Sequence, residues 1–133
     1  MNAEEKYKYW LDIAQYDLET ADAMYSSGRW LYVVFMCEQA IEKLVKGLYT
    51  LYVDDNVPKT HNINSLIRMF EDKMPDAVST DKFILFEDLR SFYLNGRYAN
   101  FKQKLSKSVD ESTAAFYLNQ TKEMFAWLLT QKP

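Results

Sequence analysis

Residues that break helices are nearly missing from the first half of this chain. No proline occurs before Pro58, and the glycines before it are Gly28 and Gly47. Proline removes a backbone donor and clashes with the preceding turn, and glycine loses the most freedom on ordering. A long stretch with few of either is free to coil, and the apolar residues then decide which face is buried. Here they recur every three to four positions, the period of one α-helical face. A first helix is expected over 3–26, opened by a capping box of Asn2 and Glu5 and striped by Tyr7, Trp10, Ala14, Leu18, Ala21 and Tyr25. Ser26-Ser27-Gly28 ends it. A second is expected over 29–52, with Leu31, Val34, Phe35, Ile41, Leu44, Val45 and Leu48 on one face and Ala40 leaving room for a neighbour. Asp54-Asp55-Asn56-Val57-Pro58 stops it.

Beyond Pro58 the elements shorten. Asn62 or Asn64 caps a short helix carrying Ile63, Leu66, Ile67 and Phe70, which Met74-Pro75-Asp76 breaks. Ser79 or Thr80 starts a fourth helix with Phe83, Ile84, Phe86, Leu89 and Tyr93, expected to stop near Asn95-Gly96. Residues 96–107 show no clear period and read as a loop. Ser108 with Glu111 makes a capping box for a last helix to about Thr130, striped by Ala114, Tyr117, Leu118, Thr121, Phe125 and Leu128. No alternating strand pattern competes. The expected fold is all-α, a single-domain up-and-down bundle of about five helices over residues 1–133.

Composition narrows the class of function. One cysteine, Cys37, excludes an internal disulfide framework and a cysteine-rich zinc site. The polar, charged start does not read as a signal peptide, and the longest apolar run, Trp30 to Cys37, is far too short to span a bilayer. A soluble, cytoplasmic protein is expected, with no membrane contact. The net charge is −3, yet Arg90 to Val109 holds five cations (Arg90, Arg97, Lys102, Lys104, Lys107) and no Asp or Glu, threaded with Phe92, Tyr93, Tyr98 and Phe101. An acidic chain with one basic, aromatic segment is suited to a focused anion site, not to coating nucleic acid broadly.

Searches for familiar chemistry return little. There is no phosphate-binding glycine loop, no His-Glu-x-x-His and no nucleophile elbow. His61 is the single histidine, so no metal-site spacing forms around it and Cys37. Asp17, Glu38, Glu42, Glu87 and Asp88 have helical positions from which a carboxylate site is imaginable, but such acids most often form solvated faces. Neither a metal nor another cofactor is expected.

Three segments resemble the HEPN domain family. "GRWLYVVFMCEQAIEKLVKGLYT" is similar to its second-helix signature through Gln39, Ala40, Glu42, Lys43 and Lys46. "PKTHNINSLI" resembles its Thr-His-Asp-Leu start of the third helix through Thr60, His61 and Leu66, with Asn62 in the acidic position. "FYLNGRYANF" resembles its Tyr-x-x-x-Arg-Tyr-Pro-Asp element through Tyr93, Arg97 and Tyr98, with Ala99 and Asn100 in place of Pro and Asp. The resemblance runs over residues 5–129. It implies a small helical bundle, usually a homodimer, often paired with a minimal nucleotidyltransferase in toxin–antitoxin modules. It also implies, for active members, metal-independent ribonuclease chemistry on an Arg-x(4–6)-His motif. That motif is missing here: no histidine follows Arg90, five places on from it stands Asn95, and four to six places after Arg97 stand Phe101, Lys102 and Gln103. Cleavage without metal needs a group to move protons, and Asn does not titrate.

The expectation is therefore a nucleotide- or RNA-binding module without the usual nuclease site. Arg97 and Tyr98 are its expected ligand contacts, a guanidinium fork for phosphate and a ring for a base, with Arg90, Asn95 and Tyr93 beside them. Gly96 is expected to free the backbone to turn there. Glu42, Lys43, Lys46 and His61 are a supporting set. For Glu42 and Lys46, at i,i+4 in the favourable order, an ordinary surface pair is an equal reading. His61 reads first as a structural residue locking the loop after Pro58 onto the third helix. Lys102, Lys104 and Lys107 read as a solvated face. The alternatives are a divergent ribonuclease toxin and a pure protein-interaction module.

Overall fold

The structure, a computed structural model, describes residues 1–96 and 98–133, with the backbone alone at 99–102 and 105. Among the described residues there are six α-helices and no strands: α1 Ala3–Ser26, α2 Trp30–Tyr52, α3 Ile63–Arg68, α4 Thr80–Asn95, α5 Ala99–Ser108 and α6 Glu111–Leu129. One 3-10 turn, Glu71–Lys73, follows α3.

The caps expected from sequence hold these helices for physical reasons that are visible locally. Asn2 Oδ1 accepts the Glu5 amide at 2.8 Å, Asn62 Oδ1 the Ser65 amide at 3.2 Å and Ser79 Oγ the Lys82 amide at 3.4 Å. Each satisfies one of the amides that a helix start leaves without a partner. Gly28, at φ 74°, makes the left-handed turn between α1 and α2.

Three expectations are corrected. Most of the stretch 96–107 is not a loop: α5 occupies Ala99–Ser108, which brings the described residues to six α-helices within the all-α bundle expected. Ser108 is the last residue of α5, and the cap of α6 is Asp110, whose Oδ1 accepts the Thr113 amide at 2.9 Å. Gly96 also has a different use from the one expected. Its φ is −70°, open to any residue, but a Cβ built there would fall inside the Phe35 ring. Glycine lets the end of α4 close on α2.

The core is built around α2. It packs along α1 and against α6, α4 and α3, so it is buried on nearly every side. Val33, Cys37, Ala40, Ile41, Leu44, Val45 and Leu48 are wholly enclosed, joined by Ala14 and Ala21 of α1, Leu66 and Ile67 of α3, Phe86 and Leu89 of α4, and Leu128 of α6. A smaller cluster of Leu31, Val34 and Val109 closes the end near α5, with Phe35, Phe92 and Tyr117 against it. At the opposite end, buried Gln131 fastens three segments. Its Oε1 accepts the Asp76 amide, its Nε2 donates to Asp76 Oδ2 and its carbonyl accepts the Tyr52 hydroxyl. Lys132 Nζ, in turn, reaches Glu4 Oε1 of α1 at 2.5 Å. No helix among the described residues is long and apolar enough to cross a membrane.

Candidate functional site

A helix surrounded by neighbours has no solvated face, and this decides what becomes of the polar residues in α2. Glu38, Glu42 and Lys46 follow one another at four-residue steps on one side of it, and all three are buried, Glu38 and Glu42 at no more than 1% exposure. The surface-pair reading of Glu42 and Lys46 is thereby corrected. A buried carboxylate must be paired and hydrogen-bonded to persist, and both oxygens of Glu42 have partners.

Glu42 is the centre. Lys46 Nζ donates to Glu42 Oε2 at 3.3 Å, and His61 Nδ1 lies 2.8 Å from Glu42 Oε1. His61 sits just before α3, whose start Asn62 caps, and its ring lies 5.0 Å from that of Tyr93 on α4. The Tyr93 ring also packs edge-on against Phe35 at 6.1 Å. His61 is thus held by α2 and α4, and not only as a lock between the 58–60 loop and α3. Its side chain keeps 40% exposure, so the cluster meets solvent through the imidazole.

Glu38 lies one turn before Glu42. Gln39 Nε2 donates to its Oε2 at 2.7 Å, while Oε1 is buried with no hydrogen-bond partner. Gln39 is itself held by Lys43, which donates to Gln39 Oε1 at 2.9 Å and pairs with Asp17 of α1 at 3.5 Å. Burial, and then the neighbouring Glu42 carboxylate, push the Glu38 carboxyl up to about 9. Burial also raises Asp17, against the pull of Lys43. Two polar groups therefore lie side by side on α2: Asp17, Lys43, Gln39 and Glu38 in one, and Lys46, Glu42 and His61 in the other, with the His61 ring against Tyr93.

Of the residues expected to form the site, Tyr93, Glu42, Lys43, Lys46 and His61 come together in this chain. Arg97 lies outside the described residues. Arg90 is occupied by Glu87, Nη1 to Oε1 at 3.0 Å, and Asn95 Nδ2 donates to Ser91 Oγ at 3.3 Å. Tyr98 is 68% exposed. Lys104 and Lys107 are exposed on α5. Beside them an open groove of about 500 Å³ runs between the start of α2 and α5, lined by Arg29, Trp30, Tyr32, Gln103 and Ser106. Sequence reasoning passed over Arg29, Trp30 and Tyr32, which lie far from the basic segment along the chain. It classed Glu38 with solvated acids. The available signal was that α2 carries apolar residues on all sides of its acids, the mark of an enclosed helix.

The described residues thus form a helical bundle with a carboxylate–imidazole cluster on its central helix and exposed lysines and aromatic residues where α5 meets the start of α2. The family model "HEPN domain" matches residues 7–131, and the chain belongs to that family. In solved structures it is similar to the crystal structure of TT1696 from Thermus thermophilus, with a TM-score of 0.78, 21% identity, and 97% of this chain and 98% of that chain covered. That likeness concerns the fold. No curated protein matches the sequence.

Proposed function

We propose that this chain is a nucleotide- or RNA-binding HEPN module that acts as a cytoplasmic homodimer beside a minimal nucleotidyltransferase, in a toxin–antitoxin or regulatory pair. The observation that carries the binding reading is the acid-free stretch 90–109 in a chain of net charge −3, within a family tied to nucleotides and RNA. Arg97 supplies the phosphate fork and Tyr98 a ring for stacking, with Arg90, Asn95 and Tyr93 on the adjoining α4. Arg29, Trp30 and Tyr32, in the groove between the start of α2 and α5, add a cation and two rings. Lys104 and Lys107 raise the local potential and draw a polyanion in.

Titrating the full chain with a short RNA and a panel of nucleotides tests this. Binding is expected to weaken steeply as salt rises. Arg97→Ala should remove a charge-assisted contact of about 1.5–3 kcal/mol, roughly ten- to a hundredfold in affinity. Lys104→Ala should cost far less. If wild type binds neither ligand, or the lysine matters more than Arg97, the reading is wrong.

A further inference from the structure

Glu38, Glu42 and His61 each offer a ligand atom, and these atoms lie within 4.8 Å of one another in a largely enclosed part of the bundle. The way the two carboxylates are held is more telling than their proximity. Each has one oxygen engaged from outside the cluster: Gln39 Nε2 on Glu38 Oε2 and Lys46 Nζ on Glu42 Oε2. Glu42 then turns Oε1 to the imidazole at 2.8 Å, and Glu38 Oε1 is buried with no partner. This is the pattern of acids oriented by outer hydrogen bonds with their inner oxygens left for a common occupant. Tyr93 packs beside the His61 ring, which limits how far the imidazole can turn.

The geometry points to a binding site for one divalent transition-metal ion, of the zinc or manganese kind, with one oxygen each from Glu38 and Glu42 and one nitrogen of His61 as its protein ligands. A mixed oxygen and imidazole set suits such ions better than magnesium or calcium, which favour oxygen alone. Ligands about 2.0–2.2 Å from a tetrahedral zinc stand about 3.4 Å from one another. His61 and Glu42 would part slightly from 2.8 Å to admit it. Three protein ligands would leave a position open for a water or a phosphate oxygen, and the 40% exposure of the His61 side chain shows that the cluster is reached by solvent.

The test uses the full chain, stripped with chelator and dialysed against zinc chloride or manganese chloride, with bound metal counted per chain and melting followed in parallel. Cobalt(II) absorption reports ligand identity independently. The expected result is one ion per chain, a raised Tm and a cobalt band that changes in His61→Ala. Glu38→Gln should lose more affinity than Gln39→Ala, which removes an outer partner and is expected to cost about 10–100-fold. Asp12→Asn, an exposed acid on α1, should bind as wild type does. His61 is partly exposed, so its replacement leaves the core intact. The proposal is overturned if wild type takes up no ion, or if uptake is the same in His61→Ala and Glu38→Gln as in wild type. Either result means that protons alone balance the buried acids.

Discussion

Cys37 shows what enclosure in α2 does to a reactive side chain. It is fully buried, Sγ lies 3.9 Å from the Tyr117 carbonyl oxygen, and burial pushes its thiol up to about 11. The thiolate is the reactive form, so at pH 8 the group is both hidden and protonated. Alkylation of the native protein at pH 8 should be slower by orders of magnitude than in denaturant, with rates following global opening. A fast native reaction would show that α2 is exposed far more often than its packing allows. The acids of α2 were harder to foresee. Local spacing showed that Glu42 and Lys46 face each other, but whether that pair meets water depends on α1, α3 and α4 arriving around it. Glu38 is the same case: its four-residue offset from Glu42 is plain in the sequence, and its burial is a tertiary event.

At the scale of elements, α1 and α4 were legible because caps and apolar stripes agree in them, and α2 from its apolar pattern alone. The second half of the basic segment, which forms α5, was not. Phe101, Leu105 and Val109 recur at four-residue intervals, a stripe one residue wide among mostly polar neighbours, and such a pattern gives little periodic signal. Placing the α6 cap at Ser108 followed from that error, since Ser108 closes the helix that had been missed. The true cap gives a prediction. The backbone hydrogen bond from Thr113, first, and then the Thr113 and Ser112 side chains hold the Asp110 carboxyl below its ordinary range. A carboxyl depressed in the folded state contributes stability above its unfolded pKa and loses it as the pH falls through the folded one. Asp110→Ala should therefore lower Tm at neutral pH, and the gap to wild type should close on acidification. Thermal melts of both proteins across the carboxylate range check this, and a gap that widens towards low pH would refute it.

For the whole molecule, the question is what covers its outer rings. Tyr9 and Tyr16 on α1 and Phe116 on α6 are more than half exposed, in a chain with 10 tyrosines and 3 tryptophans. Homodimer formation would bury part of this surface. Sedimentation across micromolar concentrations should then show a mass of two chains that falls towards one on dilution, and a monomer at every concentration would exclude the dimer. In chelator, purified protein should leave labelled tRNA and mRNA intact, because no histidine follows Arg90 or Arg97 to move a proton. Turnover abolished by Arg97→Ala would instead favour the divergent ribonuclease.

The ion pair between Lys132 and Glu4, with the Lys132 ammonium also 4.8 Å over the Tyr7 ring, sets the last residues beside the first helix. The order in which the helices are strung is therefore separable from the way they pack. A short polar linker can join residue 133 to residue 1, and new ends can be opened in the exposed 53–56 segment, which follows α2 and lies outside the core. The same six helices would then assemble from a chain that starts at α3 and finishes on α2, with the helix that organises the core reached last.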